Sequence, residues 1–83
     1  MQNSNSKTII KIKYFDEKTA KVVQNAISPD NISAPEGMHI ISLVEGNRLI
    51  IEVISDRSIG SLVSTLDDLL SCIQVAEKIL EKF

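Results

Sequence analysis

The chain has 83 residues, a formal net charge of −2 and one cysteine. This length predicts a single domain with a small core, and one cysteine excludes an internal disulfide. The sequence shows neither a secretory leader nor an apolar stretch typical of a membrane span, so we expect a cytoplasmic protein without membrane contact.

The charge is distributed unevenly along the chain. Residues 1–35 hold five lysines against three acidic residues, whereas the remaining residues hold four basic side chains against eight acidic ones. A protein that binds nucleic acid unaided usually has a basic balance, because contacts to phosphate supply most of the affinity. The composition therefore disfavours a self-sufficient nucleic-acid binder and leaves open an auxiliary contact through the amino-terminal lysines.

The first third of the chain predicts a disordered tail over residues 1–6, then a strand and a short helix. β-Branched residues alternate with lysines from Thr8 to Phe15, which is typical of a strand with one buried side. Asp16 is a suitable N-cap for a helix that runs through Ile27, because its carboxylate can accept a hydrogen bond from the first turn. A turn-rich connector with two prolines follows over residues 28–37.

A β-hairpin is the clearest unit of the sequence. Two β-rich runs, Met38 to Glu45 and Arg48 to Ile54, are joined by Gly46-Asn47, residues suited to the positive φ angles of a two-residue turn. This register places Glu45 opposite Arg48. One face of the hairpin then holds Ile40, Val44, Leu49, Ile51 and Val53. The other face holds Ile41, Leu43, Ile50 and Ile54 beside His39 and Glu52, a mixture too apolar to face water alone.

The last third, Ser58 to Phe83, predicts a long helix with one broad apolar face. Its apolar positions recur at steps of three and four: Ile59, Leu62, Leu66, Leu69, Ile73, Ala76, Leu80 and Phe83, widened by Val63 and Leu70. Outside that face lies a second, narrower strip formed by Asp68, Cys72, Val75 and Ile79. The helix would extend about 39 Å, against about 30 Å for a compact globule of this size. We expect its end to protrude or a partner to cover it.

The element order β-α-β-β-α predicts an α+β fold. Its three-stranded antiparallel sheet has the third strand in the centre, and two helices, of which the carboxyl-terminal one is long, cover one face. Residues 7–83 form the single domain, and the uncovered sheet face is predicted to meet a second copy or a related subunit.

The spacing of the glycines argues against a phosphate-binding loop. Gly37, Gly46 and Gly60 lie far apart in sequence, whereas such a loop needs several neighbouring backbone N–H groups. The same spacing excludes the GxxG clamp of KH RNA-binding domains, which otherwise share a similar element order. Lys11 and Lys13 point to one side of the first strand. They could contact a phosphate backbone, or they could stay solvated at a sheet edge and discourage pairing with another strand.

Few other residues indicate chemistry. His39 is the only histidine, and catalysis through it would need a nucleophile such as Cys72, for which no motif is present. The adjacent Asp67 and Asp68 diverge by about 100° on a helix, which disfavours a shared metal ion. We therefore predict no catalytic, metal-binding or cofactor-binding residue, and no enzyme.

Four segments, taken in order, resemble one family: SPDN at residues 28–31, PEG at 35–37, GNRLIIEV from Gly46, and SLVSTLDDLLSCIQVAEKIL at 61–80. Together they make the chain similar to the small subunit of the KEOPS complex, the polarised growth chromatin-associated controller family, which is related to the cancer/testis antigen proteins. The resemblance extends from about residue 7 to the carboxyl end.

The resemblance implies a dimerisation module without catalytic activity or cofactor, which supports threonylcarbamoyladenosine formation in tRNA. Its helices would pack on the threonylcarbamoyl transferase subunit through Asp68, Cys72, Val75 and Ile79. Its sheet would self-associate, or pair with a paralogue, through Ile41, Leu43, Ile50 and Ile54. Any tRNA contact would fall to Lys11 and Lys13. A stand-alone KH-like RNA-binding domain and a paralogous subunit of the same complex are the alternatives.

Overall fold

The computed structural model describes residues 6–28, 34–56 and 58–82. The elements are β1 (Ser6–Lys13), α1 (Glu17–Ala26), β2 (Met38–Glu45), β3 (Arg48–Ser55) and α2 (Ile59–Leu80). The predicted order β-α-β-β-α is confirmed. Ser6, which the sequence placed in the tail, is the first residue of β1, while residues 1–5 of that tail lie outside the described residues. So do residues 29–33 of the connector, which include most of the SPDN segment, and Phe83.

The three strands form one antiparallel sheet in the order β1-β3-β2, so the prediction of a central third strand is confirmed. Arg48 lies opposite Glu45 of β2, as the predicted hairpin register has it, and its neighbour on the other side is Lys13 of β1. The inner side chains of β3 are fully buried: Leu49, Ile51, Val53 and Ser55. Those of the edge strands are mostly half-buried, because a central strand is covered by neighbours on both sides as well as by the helices.

The hairpin turn differs from its prediction in one residue. Gly46 has a φ of 60°, but Asn47 does not have a positive φ. A glycine alone in the left-handed region at the first turn position is typical of the type II′ turn, whose twist matches the flanking strands. Asn47 instead binds the end of β1: its Nδ2 donates to the Tyr14 carbonyl at 3.0 Å.

Helix α1 begins as the sequence indicated. The Asp16 carboxylate accepts a hydrogen bond from the Thr19 N–H at 2.8 Å, and this bond lowers the pKa of Asp16. The helix ends at Ala26, so Ile27 is its C-cap and not its last turn. Gln24 ties α1 to the neighbouring edge strand, since its Nε2 donates to the Ser42 carbonyl at 3.2 Å.

Helix α2 buries a narrower stripe than the sequence predicts. Its buried residues are Leu62, Thr65, Leu69, Ile73 and Ala76, which span about 80° of the helix circumference. The apolar face predicted from the sequence, from Phe83 round to Val63, would span about 160°. Ile59, Val63 and Leu70 stay exposed, Ile59 by 69%. The reason is steric, since α2 shares one face of a three-stranded sheet with α1 and only a narrow stripe reaches the core.

The expectation that no segment could cross a membrane needs correction. By length and composition alone, α2, with 22 residues, is long and apolar enough to cross a membrane. Mostly buried core helices of soluble proteins meet the same criterion; in α2 28% of the apolar window is buried, and Leu69 and Ile73 pack in the hydrophobic core with residues of β3 and α1.

Candidate functional site

The two helices enclose an apolar groove on the side of the fold opposite to the bare sheet face. We call it the helical groove; its volume is about 430 Å³, and it is lined by Val22, Ala26, Ser71, Cys72, Val75, Ala76, Ile79 and Leu80. Val75 and Ile79 are exposed by 58% and 54%. An apolar concave surface between two helices is a suitable binding site for a helix of a partner protein.

The residues predicted to contact a transferase divide into two groups. Cys72, Val75 and Ile79 line the helical groove, whereas Asp68 is exposed on α2 and is not part of the lining. Cys72 is half-buried and packs against the core, so it lies closer to the buried stripe than the sequence indicated.

The wall contributed by α1 was not identified from the sequence. Val22 and Ala26 of α1 line the groove together with residues of α2. Val22 and Ala26 are four residues apart, so they lie on one side of the helix, at the margin of the buried stripe of Ala20 and Val23. This spacing could have indicated an apolar side of α1 that faces a second helix.

A second cleft borders the same ridge of α2. It is lined by Val75, Lys78, Ile79, Glu81 and Lys82 and has a volume of about 470 Å³. Lys78 and Lys82 are one helical turn apart, and neither forms an ion pair within residues 6–28, 34–56 and 58–82. The ridge of Val75 and Ile79 therefore has an apolar groove on one side and two lysines on the other.

The opposite side of the molecule is the uncovered face of the sheet, which we call the outer face. It carries Lys7, Ile9, Lys11 and Lys13 from β1, His39, Ile41, Leu43 and Glu45 from β2, and Arg48, Ile50, Glu52 and Ile54 from β3. Ile41 and Leu43 are exposed by 51% and 44%. All four residues predicted for self-association thus lie together on this face.

The β1 side of the outer face is basic. The Lys7 ammonium lies 3.4 Å from the Glu52 carboxylate, whereas Lys11 and Lys13 are exposed and have no ion-pair partner in the part of the chain that the structure describes. Phe15, just beyond β1, is 91% exposed. The predicted tRNA-contact lysines are therefore free to meet an anionic partner.

The geometry does not form the histidine-cysteine pair that the enzyme alternative needs. His39 is exposed on the outer face, while Cys72 belongs to the helix that covers the inner face. The sheet lies between them. Among the described residues, no group of three His, Cys, Asp or Glu side chains is arranged to hold a metal ion.

Comparison with known proteins agrees with the family indicated by the sequence motifs. The profile of the family described as "Transcription factor Pcc1" matches residues 7–81. No curated protein sequence matches significantly. The crystal structure of the binary complex Gon7-Pcc1 contains a chain of similar fold, with a TM-score of 0.79 and 18% sequence identity over 92% of this chain and 93% of that chain. At this identity the structural likeness concerns the fold.

Proposed function

This chain belongs to the Pcc1 family, and we propose that it is a non-catalytic dimerisation and scaffolding subunit of the KEOPS complex, acting in the cytoplasm. In this role it docks on the threonylcarbamoyl transferase subunit and supports threonylcarbamoyladenosine modification of tRNA. The observation that carries the proposal is the presence of two exposed apolar surfaces, the helical groove and the outer face, on opposite sides of one small domain.

The helical groove is the docking surface for the transferase subunit. Cys72, Val75 and Ile79 follow one another at steps of three and four, the spacing with which a helix presents anchors to another helix. Val22 and Ala26 add a second wall, so a partner helix would contact both helices of this chain at once. Most of the surface around these anchors is apolar, and covering it would supply the hydrophobic free energy of association.

The outer face is the self-association surface, with a paralogue as the alternative partner. A face that exposes Ile41 and Leu43 between charged margins has the composition of an interface centre surrounded by a polar rim. The similar chain in the Gon7-Pcc1 structure was solved in a binary complex, which is consistent with a subunit that does not act alone.

A role as a self-sufficient nucleic-acid binder is less well supported. The net charge of −2 provides little of the phosphate neutralisation on which such binding depends. A transcription factor, as the family is described, and a KH-like RNA-binding domain would both need basic side chains to neutralise nucleic-acid phosphates. Exposed Lys11 and Lys13 support an auxiliary contact to tRNA within the assembled complex.

The docking proposal is tested by Val75→Asp. A carboxylate placed on this ridge of the groove would have to lose its hydration on docking against an apolar partner surface, so we expect affinity for the transferase subunit to fall by about tenfold or more. Because Val75 is 58% exposed in the free chain, the variant should fold with an unchanged melting temperature. The measurement is co-purification, followed by titration of the purified subunits.

Val63→Asp is the matched control. Val63 is the same residue type, is 49% exposed and lies on α2 outside the groove. It should keep the transferase bound. Equal binding by the Val75 variant and the wild type would remove the groove as the docking site. A pull-down in which mass spectrometry does not find the transferase subunit would remove the KEOPS assignment.

A further inference from the structure

Two cations lie directly opposite each other at the hairpin end of the outer face. Lys13 of β1 is the register partner of Arg48 of β3. The backbone N–H of Tyr14, the next residue, donates to the Asn47 carbonyl. Because hydrogen-bonded and non-hydrogen-bonded pairs alternate along an antiparallel ladder, Lys13 and Arg48 form the more closely spaced, non-hydrogen-bonded kind of pair. Like charges at such positions repel each other, and an anion bound between them would relieve the repulsion.

No acidic side chain of the described residues neutralises this pair. Glu45 lies opposite Arg48 on the other side, but the ion pairs formed within residues 6–28, 34–56 and 58–82 involve neither of them. Lys11, two residues before Lys13 and on the same side of β1, is exposed as well. Three cations are therefore available at this end of the sheet.

Phe15 follows these cations on a backbone that is held on both sides. It comes two residues after Lys13 and is 91% exposed. Before it, the Tyr14 N–H is hydrogen-bonded to the hairpin turn, and after it, the Asp16 carboxylate caps α1. A ring on an anchored backbone loses little conformational freedom when it binds a ligand. Phe15 is thus a preorganised aromatic surface beside positive charge.

The two acidic residues after Phe15 are already engaged within the chain. Asp16 accepts the capping hydrogen bond and interacts electrostatically with Lys18. The Glu17 carboxylate lies 3.7 Å from the Lys21 ammonium. The charges beside Phe15 that lack a partner among the described residues are therefore the three cations on the sheet.

We propose that Phe15, Lys13 and Arg48 form a binding site for one unpaired nucleotide of RNA. The base stacks on the Phe15 ring, and the phosphate lies between the Lys13 ammonium and the Arg48 guanidinium. Lys11, about 7 Å further along β1, contacts the next phosphate. The proposal rests on the auxiliary tRNA contact in the proposed function and adds the kind of nucleotide that this contact engages.

An unpaired nucleotide fits these residues better than a double helix or a membrane surface does. In a double helix each base is stacked between its neighbours, whereas an unpaired base can offer its face to an aromatic side chain. Every base has such a face, so the site needs no sequence preference. A membrane-surface site needs a broad apolar face beside its cations, whereas Phe15 is one ring followed by two acidic residues.

The site is weak on its own, because it combines one stacked base with three cations in a chain whose net charge is −2. We expect the isolated chain to bind a short RNA with a dissociation constant on the order of millimolar. Within the complex, other subunits would hold the tRNA nearby, and the site would orient one of its unpaired nucleotides.

The experiment uses Phe15→Trp in the full chain, which has no tryptophan of its own. A position that is 91% exposed tolerates the larger ring, and a base stacked on an indole quenches its fluorescence. We expect saturable quenching by hexauridylate. Inorganic polyphosphate, which has the charge without the bases, should compete with hexauridylate without quenching.

Val63→Trp is the matched control for this probe. Val63 is 49% exposed and lies on α2, on the opposite side of the sheet, so its tryptophan should not respond to hexauridylate. Lys13→Gln or Arg48→Gln, added to Phe15→Trp, should each lower the slope of log affinity against log salt by about 0.7, the value for one phosphate contact in a single strand.

Two substitutions of Phe15 test the same site in the assembled complex. Phe15→Ala should weaken tRNA binding by about fivefold or more, because it removes the stacking surface. Phe15→Tyr keeps the face of the ring and should bind tRNA like the wild type. Equal binding by the alanine variant and the wild type would contradict the stacking role.

The fluorescence titration can fail independently of the proposed function. No quenching by hexauridylate, equal quenching by polyphosphate, or an equal response of the Val63 variant would overturn the nucleotide site and leave transferase docking intact. A blue shift with phosphatidylserine vesicles and no response to hexauridylate would overturn it in favour of a membrane surface. Failure to co-purify with the transferase subunit would overturn the proposed function without changing the titration of the isolated chain.

Discussion

Tyr14 connects three elements of the fold. Its backbone N–H donates to the Asn47 carbonyl at 2.8 Å, and its own carbonyl accepts from Asn47 Nδ2 at 3.0 Å. Its hydroxyl donates to Glu77 Oε2 at 2.7 Å, which ties the end of β1 to the last turns of α2. Partial burial raises the pKa of Tyr14 above its ordinary value of 10.0, and the hydrogen bond to Glu77 and the negative charge of Glu77 add to the effect.

Tyr14→Phe removes this hydrogen bond and leaves the ring in place. At neutral pH we expect the free energy of unfolding to fall by about 1 kcal/mol, the usual net value of one such bond. Urea unfolding followed by circular dichroism measures it. An unchanged denaturation midpoint would show that water replaces the hydroxyl at no cost.

The same residue predicts a pH dependence at the alkaline end. Because the pKa of Tyr14 is higher in the folded chain than its ordinary value of 10.0, its contribution to stability is complete below that pH and is lost as the pH rises through the folded value. The free energy of unfolding of the wild type should therefore fall towards that of Tyr14→Phe above about pH 10. If the difference in free energy of unfolding between the two proteins stays constant up to about pH 11, this prediction is wrong.

At the scale of the element, local sequence decides where α2 forms, and packing decides which of its side chains are buried. Ser58 caps it by accepting a hydrogen bond from the Ser61 N–H at 3.2 Å. The apolar period of the sequence is sufficient to predict the helix itself. Which side chains are buried depends on α1, which takes part of the sheet face and leaves Val63 and Leu70 outside the core.

Gly60 in the first turn of α2 is a site for stabilisation. It is exposed, its φ is not positive, and a Cβ added there would meet only Ser58 Oγ at 3.9 Å, an ordinary contact. Gly60→Ala reduces the conformational freedom of the unfolded chain, so we expect the free energy of unfolding to rise by about 0.5 kcal/mol. A urea midpoint at or below that of the wild type would indicate that this turn does not need helical geometry.

At the scale of the whole molecule, the two apolar surfaces lie on opposite sides of the sheet. The helical groove and the outer face can therefore be occupied at the same time, and a pair formed through the outer faces would present two grooves, one at each end. Such a chain can contact two partners at once.

Lys11 and Lys13, on the β1 side of the outer face, also belong to this scale, because we expect them to contact tRNA only within the assembled complex. We expect the isolated chain not to bind tRNA tightly, and we expect the double substitution Lys11→Glu, Lys13→Glu to weaken tRNA binding by the complete complex. The slope of log affinity against log salt should fall by about two, since each phosphate contact contributes close to one. Filter binding at several salt concentrations measures both.

Lys7→Gln is the comparison for this pair, because Glu52 already engages that lysine and its loss should change the slope less. An unchanged slope in the double variant would remove β1 from the tRNA contact. Tight, salt-sensitive binding by the isolated chain would favour the KH-like RNA-binding alternative.

The sequence by itself determined the element order, the central position of β3 and the hairpin register. These features follow from local patterns: alternation along strands, a glycine at the turn, a capping carboxylate and a helical period. It also placed Ile41, Leu43, Ile50 and Ile54 on one face, because strand geometry sends alternate residues to opposite sides.

Only the tertiary structure decided how the helices divide the inner face. The crossing of α1 and α2 brings Val22 and Ala26 to Cys72, Val75 and Ile79, and it leaves Asp68 outside the groove. It also puts the sheet between His39 and Cys72. These outcomes depend on packing between segments that are distant in the chain, where side-chain volume and the width of the sheet, and not local periodicity, decide which atoms meet.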